Sequence, residues 1–159
     1  MKTKTPSRLE KVLSAGHMAV TSECGPPRGT DPEPIIKKAE LIKDHVDAIN
    51  ITDNQTSVTR MCSLAACIRL KLMGLDPVLQ MVTRDRNRIA LQSDILGAAS
   101  FDIANILCLS GDHQSFGDCA QGQNVTISIP CNWSRPFARC VMKGNFWGGT
   151  ISSGRRKCL

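Results

Sequence analysis

The sequence predicts an α/β fold with parallel strands, and two observations lead to this prediction. Four short apolar segments each end in polar residues, and helix-like segments lie between them. The corresponding positions Glu23, Thr52, Met81 and Ser110 fall 29 residues apart each time. One strand with its following helix occupies about 30 residues, so each period matches one βα unit. Strands that alternate with helices pair in parallel through right-handed crossovers.

The four predicted strands share an apolar body and a polar carboxyl end. They are "HMAVTSEC" (17–24), "VDAINITDN" (46–54), "PVLQMVTRD" (77–85) and "NILCLSGDH" (105–113). Both a doubly wound sheet and a (β/α)8 barrel are compatible with this alternation. Polar residues at every carboxyl end favour the barrel, because barrel enzymes place their chemistry at that rim. A dinucleotide fold would instead need GxGxxG after the first strand, where the chain has "ECGPPRG".

Helical periodicity fills the segments between the strands. After the proline-rich entry "TDPEP", one predicted face comprises Ile35, Ala39, Ile42 and Val46. The clearest amphipathic pattern follows the second strand, and its predicted buried face comprises Val58, Met61, Ala65, Ile68 and Leu72. We expect that helix to stop at Gly74. The segment "RNRIALQSDILGAAS" predicts a weaker helix, and "SRLEKVLSAG" a leading helix that could plug one end of a barrel.

Charge and cysteine content limit the classes of partner. The net charge is +6, but residues 126–159 hold six basic and no acidic residues, which leaves 1–125 neutral. Without a recognisable nucleic-acid module we expect no nucleic-acid partner. The first 20 residues contain no apolar h-region and the sequence has no apolar run of membrane length, so we expect a cytoplasmic chain with no membrane partner. The eight cysteines form no CxxC pair, and we expect free thiols and no metal site.

Two carboxylates stand out as candidates for chemistry. Glu23 ends the first strand before the rigid turn "CGPPRG", where it could act as a general acid or simply pair with Arg28. Asp112 follows Gly111 beyond the fourth strand, where the glycine lets the backbone approach a ligand. The run "TRDRNR" predicts a local ion-pair cluster that opens a helix. These residues alone indicate a barrel enzyme without specifying its reaction.

A family resemblance is carried by four segments in order and with these spacings. They are "VTSECGPPRGTD", "DAINITDNQ", "PVLQMVTRDRNRIALQSDILGA" and "NILCLSGDHQSFGD". Over about residues 18–125 the chain resembles the methylenetetrahydrofolate reductase family. The resemblance implies a flavin-binding (β/α)8 TIM barrel that uses FAD to reduce methylenetetrahydrofolate to methyltetrahydrofolate. It implies NAD(P)H or another electron donor as co-substrate, and it leaves open a homo-oligomer or an electron-donating partner subunit.

The resemblance also implies roles for individual residues. Glu23 would be the general acid that activates the folate methylene bridge, and Asp112 the carboxylate near both flavin and folate. The implied flavin-binding residues are Thr52, Asp53, Gln55, Gln80, Ser110, Gly111 and Asp112. Many members of the family have His where Gln80 stands and Arg where Ser110 stands, so the resemblance does not carry these two contacts over unchanged and does not specify the electron donor.

Residues 126–159 do not continue the resemblance. Suitable codons for "TISIPCNWSR" (126–135), read one base earlier, encode "YDIDSMQLVQ", which resembles the family's continuation. We therefore expect a one-base deletion near codon 125, in the gene or in its sequencing. On this hypothesis 1–17 is a leading helix, 18–125 is the first four βα units of the barrel, and 126–159 is a disordered, frameshifted tail. The truncated chain should then be inactive or barely active.

Two alternatives belong to other classes of protein. A small interaction module could bind nucleic acid or zinc through its basic, cysteine-bearing tail, with Cys119, Cys131, Cys140 and Cys158 as zinc ligands. Their spacing lacks the short chelating loop of structural zinc sites. The chain could also be a pseudogene product without a function.

Overall fold

The computed structural model describes residues 7–122 and the backbone of 145–146 and 149–150. The chain divides into two units, Met1–Ile127 and Ser128–Leu159. In the first unit the helices are α1 (Arg8–Ser14), α2 (Glu33–Ile42), α3 (Ser63–Leu72) and α4 (Arg88–Ser100). Its strands are β1 (Thr21–Cys24), β2 (Ala48–Ile51), β3 (Pro77–Val82) and β4 (Asn105–Leu109), and short 3-10 turns cover Gln55–Ser57 and Gln114–Phe116. In the second unit, β5 (Asn145–Phe146) pairs antiparallel with β6 (Gly149–Thr150).

The four strands of the first unit form one parallel sheet in the order β1-β2-β3-β4. A helix separates each strand from the next, and consecutive strands are neighbours in the sheet, as in a series of βα units. The α/β prediction is therefore confirmed, and the arrangement is consistent with part of a (β/α)8 barrel. The remaining tail lies outside the described residues, so the predicted disorder of 126–159 stays a prediction.

The two faces of the sheet differ in polarity. Side chains alternate between faces along each strand, and the register places Glu23, Asn50 and Val78 on the same face. The opposite face carries the apolar core, which α2, α3 and α4 cover. That core contains Cys24, Ile49, Ile51, Leu79 and Met81 from the strands, together with Ile35, Cys67, Leu70, Leu91 and Ile95 from the helices. We call the face that carries Glu23, Asn50 and Val78 the inner face, and it is the more polar of the two.

The predicted buried face of α3 was wrong. The helix begins only at Ser63, and the side chains that it buries are those of Ser63, Ala66, Cys67 and Leu70. Leu72, which the periodicity assigned to the core, is 76 % exposed. Two parallel apolar stripes run along this helix, and the sequence alone did not show which of them the sheet covers. The predicted face of α2 is confirmed at Ile35 and Ala39, which are fully buried, but Val46 lies beyond the helix end.

The end of α3 agrees with the prediction at Gly74. Gly74 has φ +80°, its N–H donates to the carbonyl of Lys71, and the N–H of Leu75 donates to the carbonyl of Leu70. This pair of bonds is a Schellman motif, which favours glycine because other residues rarely adopt positive φ. The turn satisfies the last carbonyls of the helix and leads directly into β3.

Helix α1 lies at the amino ends of the strands. The backbone N–H of Arg8 donates to the carboxylate of Asp76, which precedes β3. The Arg8 guanidinium pairs with Asp47, which precedes β2, at 3.3 Å. These contacts place the leading helix at the edge opposite the strand carboxyl ends, and its role as a barrel plug stays a prediction. No helix among the described residues has the length and apolar character needed to cross a membrane.

Candidate functional site

A cavity of about 290 Å³ opens at the carboxyl ends of β2, β3 and β4. It is bounded by the inner face of β3 and by the loops that follow β2 and β4. Six of the eight candidate residues line it: Asp53, Gln55, Gln80, Ser110, Gly111 and Asp112. The structure therefore brings most of these residues together at one rim, although they are scattered over 60 positions of the sequence.

Glu23 does not line the cavity but is linked to it. Its side chain is exposed on the inner face of β1, and its Oε2 accepts a hydrogen bond of 3.3 Å from Nε2 of Gln80. Gln80 is 6 % exposed and itself lines the cavity. One oxygen of the Glu23 carboxyl is thus bonded to a residue of the cavity wall, and the exposed side chain leaves the other oxygen accessible.

Thr52, the eighth candidate, lies beside the cavity with an unsatisfied hydroxyl. The residue is 3 % exposed, and its Oγ1 has no hydrogen-bond partner. A Cβ added at Gly25 would lie 3.4 Å from this hydroxyl and 3.2 Å from Oε1 of Gln55. The glycine therefore leaves space next to two polar groups. A buried hydroxyl without a partner loses hydrogen-bond energy, which a bound ligand could restore.

The carboxylate of Asp53 is hydrogen-bonded to groups of the protein itself. It accepts from the backbone N–H of Val82 at 2.9 Å, and both terminal nitrogens of Arg86 donate to its two oxygens. The Asp53 side chain is fully buried and that of Arg86 is 14 % exposed. Burial acts to lower the pKa of Arg86, but the hydrogen bonds and charges of Asp53 and Asp94 outweigh it and leave the pKa raised. The charge of Asp53 is therefore balanced by Arg86 within the protein.

Asp112 is exposed at the rim and held by the loop after β2. Its Oδ2 accepts from the backbone N–H of Thr56 at 2.7 Å. Gly111 precedes it with φ +85°, and a Cβ there would stand 2.4 Å from Cγ1 of Val82. Only glycine combines this dihedral with so close an approach. The close neighbour is thus β3, and the approach of the Gly111 backbone to a ligand stays a prediction.

The sequence interpretation missed the importance of Arg84. It placed Arg84 in a local ion-pair cluster, and the pair with Asp85 exists at 2.7 Å. The Arg84 side chain, however, is only 4 % exposed and also bonds to the loops after β2 and β4. Arg84 lies two residues after β3, whose six residues are all buried, but the sequence did not show that loops would cover it. Charged side chains are almost never buried unless they are paired.

Further contacts join the loops around the rim. Asp118 accepts from Arg28 at 3.2 Å and from the backbone N–H of Thr59 at 3.0 Å. Arg60 donates to the carbonyl of Pro26 at 3.1 Å. The loops after β1, β2 and β4 are thus bonded to one another. Within the described part of the chain, no group of three or more His, Cys, Asp or Glu side chains could hold a metal ion. Three of the four cysteines of the zinc alternative lie outside that part.

Comparison with protein families decides the assignment. The sequence model of the methylenetetrahydrofolate reductase family matches residues 8–128. This match covers the whole sheet and every residue of the cavity. The chain belongs to the methylenetetrahydrofolate reductase family. A comparison with curated proteins gave no significant match.

Membership of the methylenetetrahydrofolate reductase family implies an oxidoreductase of folate metabolism, and the family is generally flavin-dependent. The described residues fit a flavin in part. The unpartnered Thr52 hydroxyl and the space beside Gly25 offer a polar cradle next to the cavity. Its volume of about 290 Å³ is at the low end for small-molecule sites, so it could enclose one end of FAD rather than the whole.

Proposed function

We propose that the cavity at the carboxyl ends of β2, β3 and β4 is the flavin site of a methylenetetrahydrofolate reductase. The observation that carries the proposal is the convergence of six candidate residues on that one cavity, with Glu23 attached through Gln80. The rim position is also where a (β/α)8 barrel builds its site. The substrate is 5,10-methylenetetrahydrofolate, and the product is 5-methyltetrahydrofolate.

In this proposal the rim residues hold one end of FAD. Asp112 would help to hold FAD by accepting a hydrogen bond on the carboxylate oxygen that Thr56 leaves free. Ser110 and Gly111 offer hydroxyl and backbone groups, and the Thr52 hydroxyl regains a partner. The chemistry that FAD would supply there is hydride transfer to the folate, with electrons from NAD(P)H or another donor.

Glu23 acts as the proton donor to the folate. The hydrogen bond from Nε2 of Gln80 occupies Oε2, so the proton to be transferred is carried on Oε1. Transfer of that proton to a folate nitrogen opens the methylene bridge to an iminium, the form that accepts a hydride. A positioned acid of this kind contributes about 10²–10⁴-fold to a rate. Gln80 is neutral, so it orients the carboxyl without competing for the proton.

The test begins with flavin binding by the full chain. Titration of the purified protein with FAD, followed by flavin fluorescence and visible absorbance, should give a saturable 1:1 complex. Asp112→Asn should weaken it about tenfold, because a hydrogen bond to a charged group is worth about 1.5–3 kcal/mol. The matched control is Asp102→Asn, the same change in the loop before β4, and it should leave the affinity unchanged. A folded chain that binds no FAD would overturn the proposal.

A turnover assay distinguishes the role of Glu23 as a proton donor from the role of the flavin-binding residues. The protein is incubated with methylenetetrahydrofolate, FAD and either NAD(P)H or a chemical reductant, and the amount of methyltetrahydrofolate formed is measured. Glu23→Gln should abolish product formation and leave FAD affinity intact, since Glu23 lies outside the cavity. The expectation that this chain turns over little folate is checked in the same assay. Equal loss of flavin binding and turnover in Glu23→Gln would contradict the assigned role.

A further inference from the structure

The geometry points to Arg84 as the positioning residue of the rim, which clamps the Asp112 loop onto the loop that follows β2. The contacts that make up this clamp lie within the protein and do not depend on a cofactor. Its consequence for flavin rests on the function proposed above, because it assumes that the Asp112 carboxylate contacts the cofactor. Arg84 touches neither cofactor nor substrate in this account and acts through Asp112.

Every N–H of the Arg84 guanidinium has an acceptor. Nε and one hydrogen of Nη2 donate to the two oxygens of Asp85, each at 2.7 Å. Nη1 donates to Oγ of Ser57 and to the backbone carbonyl of Asp112, both at 2.7 Å, and Nη2 reaches the carbonyl of Asn54 at 3.3 Å. Arginine has five donors in a fixed planar fork, and all five are used here. Lysine, with three donors on a single point, cannot reproduce this set.

The loop that Arg84 holds is strained. Thr56 and Ser57 have φ of +55° and +58°, which is uncommon for any residue with a Cβ and an outlier for a β-branched one. This conformation turns the Thr56 N–H onto Oδ2 of Asp112. Strained turns persist only where their surroundings over-determine them. Arg84 supplies two of those restraints, at Asn54 and at Ser57.

The other side of the clamp is equally specific. Gly111 carries the chain over Arg84 so closely that a Cβ there would lie 3.3 Å from Nη1 and 2.4 Å from Val82 Cγ1. The carbonyl of Asp112 thereby reaches Nη1. Arg84 thus fixes the backbone of Asp112 directly and its carboxylate indirectly, through the Thr56 N–H. The direction of the free carboxylate oxygen is set by these two attachments.

A purely structural role for Arg84 predicts a different outcome from a clamp. If Arg84 only stabilises the fold, its loss should weaken the whole sheet evenly. If it is a clamp, its loss should free the two loops and leave β3 protected. Hydrogen–deuterium exchange resolved by peptide distinguishes these cases in the full chain without any cofactor.

The variants are Arg84→Lys and Arg84→Met, with Lys71→Met as the control. Lys71 pairs with Asp76 at 3.4 Å at the opposite edge of the sheet. In both Arg84 variants we expect exchange in peptides covering 54–58 and 111–118 to accelerate about tenfold or more, since bonds from a charged donor are lost. Peptides covering 77–82 should match the control. Unchanged exchange in the loops, or an acceleration that is uniform over the loops and the sheet, would overturn the clamp.

Flavin affinity then tests the positioning of Asp112. Arg84→Lys should weaken FAD binding about tenfold in the wild-type background, as the loss of one charge-assisted contact would. In an Asp112→Asn background the same change should have little further effect, because the group that Arg84 positions is already gone. Additive losses would overturn positioning through Asp112. Absence of FAD binding by the wild-type chain would overturn the proposed function, while the exchange measurement would still decide the clamp.

Discussion

Replacing Arg86 by methionine is expected to destabilise the protein strongly. The Asp53 carboxylate is fully buried and receives two of its three hydrogen bonds from Arg86. In Arg86→Met it would retain only the backbone N–H of Val82. Methionine fills much of the arginine volume, so the change removes charge and donors more than packing. The variant therefore isolates the cost of leaving a buried carboxylate without its counter-ion.

The magnitude follows from burial. Breaking a buried ion pair by removing one partner costs about 3–5 kcal/mol, against about 0–1 kcal/mol for an exposed pair. Arg86 is 14 % exposed, and its second partner Asp94 is 33 % exposed and can turn to water. Most of the cost thus comes from Asp53. A domain is stable by about 5–15 kcal/mol, so the variant should remain folded but be clearly weakened.

Urea unfolding followed by far-ultraviolet circular dichroism measures this cost. With a slope of about 1–3 kcal/mol per molar urea, the midpoint of Arg86→Met should fall by about 2 M. The double variant Asp53→Asn with Arg86→Met should be more stable than Arg86→Met alone, because the unpaired charge is gone. Lys71→Met, which breaks a pair with side chains 28 % and 17 % exposed, should shift the midpoint far less.

Two results would refute this reasoning. If Arg86→Met lowered the free energy of unfolding by less than about 1 kcal/mol, the pair would contribute no more than an ordinary surface ion pair. A double variant less stable than the single one would show that the Asp53 charge is not the source of the cost. In either case the buried pair would not be what secures the end of β2 to the segment after β3.

Three further predictions concern packing, thiols and pH. Gly117→Ala should displace the loop after β4 and speed its hydrogen exchange, because the new Cβ would lie 1.8 Å from the carbonyl oxygen of Ser57; normal exchange would contradict the docking. Cys67 is fully buried and burial raises the pKa of its thiol, so at pH 8 mass spectrometry should find it alkylated only as the chain unfolds, unlike exposed cysteines. The hydrogen bond from Arg84 lowers the pKa of Asp85, so Asp85 contributes stability above its unfolded pKa that is lost as pH falls through the folded value. When the pH is lowered below about 4, the urea midpoint should therefore fall less in Asp85→Asn than in the wild-type chain.

The sequence predicted the repeat and the rim, because both follow from period and position. Strands 29 residues apart with polar carboxyl ends require a parallel sheet whose polar ends meet at one edge. The buried stripe of α3 was not predictable in the same way. Both of its stripes are apolar, and only the sheet's position relative to Ser63 and Leu70 decides which one is covered. Periodicity identifies a helix more securely than it identifies the side that faces the core.

The site shows a similar limit. Candidate residues at strand ends were brought together as expected, but the partners that orient them come from distant segments. Gln80 reaches Glu23 across 57 positions, and Arg86 reaches Asp53 across 33. Nothing in the run "TRDRNR" distinguishes a solvated ion pair from a buried one. That distinction depends on the loops that cover the run, and these contacts exist only in the folded sheet.

The two arginines after β3 show how one strand organises the whole rim. β3 is buried along its entire length, and buried strands are the elements that open least in local unfolding. Arg84 and Arg86 are two residues apart, yet Arg84 bonds to the cavity loops and Arg86 to the carboxylate of Asp53. A displacement of this segment would disturb both the Asp112 loop and the end of β2 together. The rim is therefore expected to loosen as one unit when either arginine is changed, although only Arg84 bonds to the Asp112 loop itself. Comparing loop exchange in Arg84→Met and Arg86→Met would show whether that coupling passes through the short segment between them.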